Sequence, residues 1–555
     1  MRNFLRRKWT CELGPTVAIF ALLLVAQGVL AADVYWRGHV SVDWSTDANW
    51  RGGSAPGASD NAIFNADSSA GACQLSTGVK VNSIFMDDDY DQDFDQNGQA
   101  CTTATDLTAD GSGTITLDGA YVMTGDGNFA FESGPTYSPS QLQIDSKGTG
   151  SIENNTGSAL TYAGITCGYA DKTTTVNGNG NHVLSQLSIG SGTLTADRFI
   201  SLRPTASGAF TTDAASTING SAAIEVRQSG VITVNIPRLN ARNQGINLYS
   251  PGGSLGTYSF QDTVSVSSLL GLYATGTGGA VFQTNDFPVT AGTILRVGAG
   301  STGKVKVFAG ASEINIGSFE TTTYNTGVCS LYCETSTIND SGDFDLGSNT
   351  VVVPGTSDLR FVGTAAATPT MNNQLFYDIE VDKSGGSVTF ADSCKANDLV
   401  IAATNTVAVT ASTVDAGGDL NVGGSGVTTI TGDIHVGGDL TFIANTVWSG
   451  DTITYDGTGA QAITVPAGDT LGNLVVTNTT GPVSTAQNTA FLSMGIQGPF
   501  DMSADTVTSI GDVSGAGASS DMIYDAASLL RVGGSITGFD GDTLPHTILT
   551  GSGGF

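Results

Sequence analysis

Charged residues are scarce in this chain, and basic residues are the scarcest. Lys and Arg number 21 against 51 Asp and Glu, and 13% of the residues carry charge. Helix formers such as Glu, Lys, Arg and Gln are few, and no long window has apolar residues at helical spacing, which argues against a helical protein. The formal net charge of −30 repels phosphate backbones and argues against nucleic acid as a partner.

Signatures of catalysis are also lacking. The pentapeptide at 252–256 matches the pattern Gly-x-Ser-x-Gly, but no helix is expected after it, as a nucleophile elbow requires. Zinc is not expected, because the four histidines have no ligand spacing: His39, His182, His435 and His546. His435 alternates with Ile434 and Val436 and is expected to face outward from a strand.

Residues 1–31 have the features of a signal peptide. A basic start is followed by the apolar stretch Val17 to Val25 and by small residues that end at Ala31. The stretch is short for a membrane span, so we expect no stable span after cleavage; the alternative is an uncleaved anchor. Cleavage removes four basic residues and Glu12, which changes the net charge to −33.

Six cysteines remain after the leader, and in an oxidising compartment they can pair in fifteen ways. Cys329 and Cys333 lie four residues apart in a turn-rich segment and could form a local disulfide. The alternative is that the cysteines are buried free thiols.

Glycine is abundant, with 74 residues, and short alternating strands recur between turn residues. One phrase returns at intervals of 21 and 20 residues, in 397–401, 418–422 and 438–442, each time with Asp before an alternating apolar pattern. A period near 20 residues is typical of a coil of stacked strands. The sequence therefore predicts an all-β fold, a right-handed parallel β-helix or β-solenoid.

A longer repeat lies in the C-terminal third. Apolar and Gly residues from Ile379 to Ile401 are matched 95 residues later, from Leu474 to Ile496. We expect a signal peptide at 1–31, a cap with the first coils at 32–104, a degenerate solenoid at 105–355 and a more regular solenoid at 356–555.

Three tryptophans open the mature chain, and with Phe64 they are expected to form an aromatic cap over the first coil: Trp36, Trp44 and Trp50. This segment resembles the N-terminal segment of bacterial exported proteins with autotransporter-associated β-strand repeats. The resemblance is carried by Trp36, Gly38, Trp44, Asn49, Trp50, Pro56, Asp60, Ala62 and Phe64. It implies display at the bacterial cell envelope, through an anchor beyond Phe555 or by another route.

An acidic run includes Asp93, Asp95 and Asn97, which fit the first half of a calcium loop. The position that should supply a bidentate Glu is Ala104. Calcium binding and a solvated acidic turn are the two interpretations; no other cofactor is expected.

Together these features predict a secreted or cell-surface protein without enzymatic activity. Its partners would be further copies of itself or envelope and matrix components, including polysaccharide. The alternatives are a polysaccharide lyase or glycoside hydrolase on a β-helix, and a cation-dependent surface-layer component.

Overall fold

The structure is a computed structural model that describes residues 31–68, 71–228, 232–242, 245–253, 255–300, 302–323, 326–402, 407–424, 426–443, 446–448, 452–466, 470–503, 505–516, 522–539 and 544–551. Its helical elements are two short 3₁₀ helices, Asp47–Asn49 and Ala66–Ser68. All other regular elements are β-strands, which confirms the expected all-β chain for the described residues. The expected signal peptide at 1–31 lies, apart from Ala31, outside them.

The chain divides into two compact units, Met1–His182 and Val183–Phe555. The strands of the first unit are β1 (Asp33–Tyr35), β2 (Asn61–Phe64), β3 (Cys73–Gln74), β4 (Val79–Val81), β5 (Ser83–Met86), β6 (Phe94–Asp95), β7 (Cys101–Thr103), β8 (Leu107–Ala109), β9 (Thr114–Thr116), β10 (Ala120–Met123), β11 (Gly127–Phe131), β12 (Thr136–Ser138), β13 (Gln143–Ser146), β14 (Gly150–Asn154), β15 (Leu160–Cys167) and β16 (Thr173–Gly178).

From His182 onward the strands are β17 (His182–Ile189), β18 (Thr193–Ala196), β19 (Ile200–Leu202), β20 (Phe210–Thr212), β21 (Thr217–Asn219), β22 (Ile224–Arg227), β23 (Thr233–Ile236), β24 (Leu239–Ala241), β25 (Ile246–Ser250), β26 (Leu255–Phe260), β27 (Val264–Val266), β28 (Leu269–Ala274), β29 (Gly279–Gln283), β30 (Val289–Ala291), β31 (Ile294–Ala299), β32 (Lys304–Phe308), β33 (Glu313–Ile316), β34 (Phe319–Thr323), β35 (Val328–Tyr332), β36 (Thr337–Asp340), β37 (Phe344–Asp345) and β38 (Thr350–Val353).

The remaining strands are β39 (Asp358–Gly363), β40 (Leu375–Lys383), β41 (Ser387–Thr389), β42 (Cys394–Ile401), β43 (Val407–Ala416), β44 (Leu420–Val422), β45 (Thr428–Val436), β46 (Leu440–Thr441), β47 (Thr446–Trp448), β48 (Thr452–Tyr455), β49 (Gln461–Thr464), β50 (Thr470–Val476), β51 (Val483–Thr485), β52 (Thr489–Ile496), β53 (Phe500–Asp501), β54 (Thr506–Ser509), β55 (Val513–Gly515), β56 (Met522–Ile523), β57 (Leu529–Val532), β58 (Ile536–Thr537) and β59 (His546–Leu549).

In each unit a strand pairs in parallel with the equivalent strand of the next turn of the coil. One turn of the coil is called a rung. In the first unit the longest stack is β1–β2–β5–β8–β11–β14–β16. In the second unit the first sheet begins β18–β21–β24–β27–β30–β33–β36–β39, the second sheet contains β19–β22–β25–β28–β31–β34–β37, and the third is β23–β26–β29–β32–β35–β38. Both units are therefore β-solenoids, as the sequence predicts.

Apolar side chains stack on one another inside each coil. In the first unit the paired residues Ala62, Ile84, Leu107, Phe129, Ile152 and Val176 are all buried. Neighbouring residues along each strand point outward, because successive side chains of a strand alternate between its faces. Burial of this apolar file, at about 25 cal/mol per Å², is the main source of stability.

The length of a rung changes along the chain. Leu239, Val264 and Val289 are successive partners, so rungs there contain 25 residues, whereas Leu359, Ile379 and Leu399 give 20. The expected period of about 20 is thus correct for the region with the recurring phrase and wrong for the middle of the chain. Short rungs are possible because strands such as β43 continue through a corner, with a register shift between Thr410 and Thr413.

Pairing continues across both expected boundaries inside the solenoid, 104/105 and 355/356. Leu107 pairs with Ile84 on either side of 104/105, and Leu359 pairs with Ile338 on either side of 355/356. These positions therefore do not interrupt the backbone ladder, although rungs shorten near the second one.

The 95-residue repeat keeps its inward register but not its place on the coil. Ile379 and Leu474 are both buried. Ile379 pairs with Leu399 in one ladder, whereas Leu474 pairs with Ile453 and Met494 in another. The 95 residues therefore do not span a whole number of these rungs.

The four expected cap residues pack together in the first unit. Trp36, Trp44, Trp50 and Phe64 are buried, with Trp44 and Trp50 ring centroids 4.7 Å apart and Trp36 and Trp50 centroids 5.0 Å apart. Trp36 directly follows β1, which pairs with β2. Edge-to-face packing of this kind stabilises aromatic clusters beyond their buried area.

The substitution Val476→Asp tests the inward register. Val476 is fully buried in β50, so an unpaired carboxylate there should lower the free energy of unfolding by about 3 to 5 kcal/mol. Val475→Asp is the matched control. Val475 is next to Val476 on the same strand but faces outward, so this substitution should change stability little. Thermal and urea melts of both variants measure the difference; equal melting curves would refute the register.

Candidate functional site

Aspartate side chains form a ladder along one corner of the second unit. The Oδ1 atom of Asp398 accepts a hydrogen bond from the backbone N–H of Asp419 at 2.8 Å, and Oδ1 of Asp419 accepts one from Asp439 at 2.8 Å. Oδ1 of Asp378 lies 3.3 Å from the nitrogen of Asp398, and Oδ1 of Asp439 lies 2.7 Å from that of Ala462. The three recurring phrases therefore lie on top of one another, as predicted.

The same hydrogen bond recurs at corners elsewhere in each unit. An Asp Oδ1 atom accepts a hydrogen bond from the backbone of the following rung, at 2.6 to 3.1 Å, in the pairs Asp93 with Thr114, Asp106 with Asn128, Asp126 with Thr149, Asp286 with Ala311, Asp343 with Thr368, Asp433 with Thr452 and Asp512 with Ser535. A carboxylate is a strong acceptor for a backbone N–H. Much of the acidity of the chain thus has a structural use.

Removal of one ladder carboxylate should destabilise the second unit. Asp419→Ala leaves the N–H of Asp439 without its acceptor, so we expect a loss of about 1 to 3 kcal/mol. Asp419→Asn keeps an acceptor oxygen at the same place and is the matched control, with a smaller loss expected. Urea unfolding of both variants checks this. If Ala and Asn cost the same, the ladder bond contributes nothing.

The predicted calcium ligands are each engaged within the protein. Asp93 Oδ1 accepts from Thr114; Asp95 accepts from the backbone of Asn97 at 2.8 Å through Oδ1 and from Gln74 Nε2 at 2.8 Å through Oδ2. The Asn97 side chain donates to the carbonyl of Leu75 at 3.1 Å. In the described part of the chain no group of three or more His, Cys, Asp or Glu residues has metal-binding geometry. Calcium binding at this loop stays a hypothesis.

The possibility of a disulfide between Cys329 and Cys333 is not realised. Both are buried free thiols, as are the four other cysteines after residue 31. Cys329 lies in β35 and Cys333 directly follows it, so the extended backbone separates them by roughly 13 Å, beyond the reach of a disulfide. Burial raises the pKa of both thiols to about 12, which makes them unreactive.

Two charged side chains point into the coil of the second unit. Asp340 ends β36 and Lys383 ends β40, and both are fully buried. Asp340 Oδ1 accepts from the backbone of Gly342 at 2.9 Å, and Lys383 Nζ donates to the carbonyl of Val362 at 3.1 Å. Burial raises the pKa of Asp340 to about 7, against the attraction of Lys383, and burial lowers the pKa of Lys383.

The raised pKa of Asp340 gives stability a defined pH dependence. Asp340 binds a proton more tightly in the folded state than in the unfolded state. The stabilisation that results is complete below about pH 4 and is lost as the pH rises to about 7. The loss is on the order of 4 kcal/mol. Asp340→Asn keeps the acceptor for Gly342 and should remove this slope and stabilise the protein at pH 8.

The matched control is Asp382→Asn, at an exposed position beside Lys383. It should leave the slope unchanged. Chemical denaturation between pH 4 and pH 8 provides the measurement, and a wild-type slope retained in Asp340→Asn contradicts the assignment.

An outward strip of polar and aromatic residues crosses the second sheet of the second unit. Its members form two files, and the residues of each file are paired in register. The first file is Glu225, Asn247, Gly271, Arg296, Glu320 and Asp345. The second file is Arg227, Tyr249, Tyr273 and Gly298. We call these residues the outward strip. The strip is not among the sites predicted from the sequence. Its signal is an alternating apolar and polar tetrapeptide that returns every 22 to 25 residues, beginning at Ile224, Ile246, Leu270 and Leu295.

Tyr273 lies flat against the sheet in this strip. A Cβ atom at Gly271 would lie 2.2 Å from Cε2 of Tyr273, and one at Gly298 would lie 2.6 Å from Cδ1. The ring therefore occupies the space above both glycines, and a larger residue at either position would displace it. Tyr273 is half-buried, so part of the ring remains accessible.

Ion pairs flank the ring on both sides. Arg296 contacts Glu320 at 2.7 Å, and this bond is the main reason that the pKa of Arg296 is raised. Arg227 lies 3.8 Å from Glu225 and 4.9 Å from the centre of the Tyr249 ring. Tyr249 Oη lies 2.6 Å from Oγ1 of Thr275. The strip thus presents donors, acceptors and aromatic rings on one surface.

Among the histidines, His435 faces outward from β45 as predicted, 3.5 Å from Asp456. Ser254 of the Gly-x-Ser-x-Gly pattern lies outside the described residues, and the strand β26, not a helix, follows it. No helix in the described ranges has the length and apolar character to cross a membrane.

Comparison with family models, curated proteins and solved structures finds no match.

Proposed function

We propose that this chain is an exported, non-enzymatic β-solenoid of a bacterial envelope or matrix, which associates with itself or with envelope components. The observation that carries this proposal is the Asp ladder at 378, 398, 419 and 439, together with its counterparts at other corners. These carboxylates hold successive rungs together, as expected of a scaffold.

Export is supported by the leader pattern at residues 1–31 and by the resemblance of the segment from Trp36 to Phe64 to exported bacterial proteins. The aromatic cluster that begins at Trp36 would cover the apolar end of a first rung, which otherwise offers free strand edges to other chains. An uncovered edge elsewhere would allow self-association.

A carbohydrate-active enzyme is the second candidate, and the outward strip is the observation that favours it. Glu320 and Asp345 are register partners on adjacent strands, so two carboxyl groups lie close together. Burial, followed by repulsion from Asp343, raises the pKa of Asp345, as suits a general acid. Glu320 is bound to Arg296, which leaves it less available as a base.

A panel of acidic and neutral polysaccharides separates the two candidates. Incubation with the purified full chain should release neither reducing ends nor unsaturated products, because the carboxylates serve the scaffold. Heat-denatured protein is the control for contaminating activity in the substrates. Product release that disappears in the double variant Glu320→Gln with Asp345→Asn would replace the structural function with the enzymatic one.

A further inference from the structure

We propose that the outward strip binds a neutral oligosaccharide. This inference rests on the proposed association with envelope components and gives it a ligand class. The decisive feature is the flat ring of Tyr273, which lies over Gly271 and Gly298. Glycine weakens a strand by roughly 0.5 to 1 kcal/mol relative to alanine, so two glycines beneath one ring favour the ring's position at the expense of the sheet.

A flat, accessible aromatic ring matches the apolar face of a pyranose. The C–H groups of one sugar face pack on a ring, while the hydroxyl groups around the rim need donors and acceptors. The strip supplies both next to Tyr273. Arg296 donates on one side, with Glu320 as acceptor.

The charges of the strip favour a neutral ligand over a uronate or sulfate. Arg296 and Arg227 are each paired with a glutamate, at 2.7 Å and 3.8 Å, so neither is an uncompensated cation. Asp345 at the end of the strip adds a further carboxyl group. The chain as a whole carries a net charge of −30, which repels polyanions.

The dimensions of the strip favour an oligomer over a single sugar. It crosses the strands β22, β25, β28, β31, β34 and β37, which are adjacent in one sheet. At about 4.8 Å between strands, these positions extend over roughly 24 Å. Tyr249 and Tyr273 are register partners on adjacent strands, so the strip continues beside Tyr273 with a second aromatic side chain.

Titration calorimetry with the full chain tests the proposal. The neutral probes are soluble oligosaccharides of β-glucose and of N-acetylglucosamine, and the acidic probe is oligogalacturonate. Tyr273→Ala should weaken binding of a neutral probe by about tenfold or more, since a ring contact contributes about 1.4 kcal/mol. Tyr273→Phe keeps the ring and should bind within about threefold of wild type.

Tyr332→Ala is the matched control. Tyr332 is a half-buried, outward-facing tyrosine of the same unit, stacked on Phe308 on the third sheet with centroids 4.5 Å apart. The Tyr332→Ala variant should bind the neutral probe with the affinity of the wild type. Circular dichroism of each variant confirms that the fold is retained, and Arg296→Lys, which keeps the charge but loses the forked contact to Glu320, should also weaken binding.

Loss of binding in Tyr273→Ala alone among the tyrosine variants supports the proposal. It is overturned if no neutral probe binds, if only oligogalacturonate binds, or if Tyr332→Ala weakens binding as much as Tyr273→Ala. None of these results affects the structural function, which fails only if the polysaccharide panel releases products. The two failures are therefore distinguishable.

Discussion

Parallel hydrogen bonding between successive rungs is the constraint on which the rest of this structure depends. It requires equivalent strand residues of successive rungs to lie directly above one another, whatever the number of residues in each rung. Leu239, Val264 and Val289 meet this condition with 25-residue rungs, and Leu359, Ile379 and Leu399 with 20. The core can vary in sequence because only apolarity and strand register must be kept.

Carboxylates at the corners are compatible with this stacking because each faces a backbone N–H. Two unit charges one strand spacing apart repel by about 0.9 kcal/mol in water, whereas a hydrogen bond to a charged group contributes about 1.5 to 3 kcal/mol. Exposure of the carboxylate to solvent decides whether the hydrogen bond or the repulsion is the larger effect. The N–H of Thr149 lowers the pKa of exposed Asp126, but burial and then repulsion from Asp398 raise that of half-buried Asp378.

The sequence predicts those features that repeat at short range. The phrases around Asp398, Asp419 and Asp439 predict both the fold and the superposition of these residues, because 20-residue rungs place them at one corner. The match of Ile379 with Leu474 leads to the wrong ladder, since apolar alternation is the same on every face of the coil. Cys329 and Cys333 are close in sequence and far apart in an extended strand.

The outward strip could not be recognised without the rung length. Glu225, Asn247 and Arg296 become neighbours of a common surface only when the 22-, 24- and 25-residue intervals are known to be whole rungs. The inward residues of these strands are fixed by packing, but the outward ones are not. Gly271 and Gly298 lie at outward positions where valine or threonine would favour a strand. Their lack of side chains leaves room for the Tyr273 ring to lie on the sheet, and the outward face of this ring is where we expect a ligand.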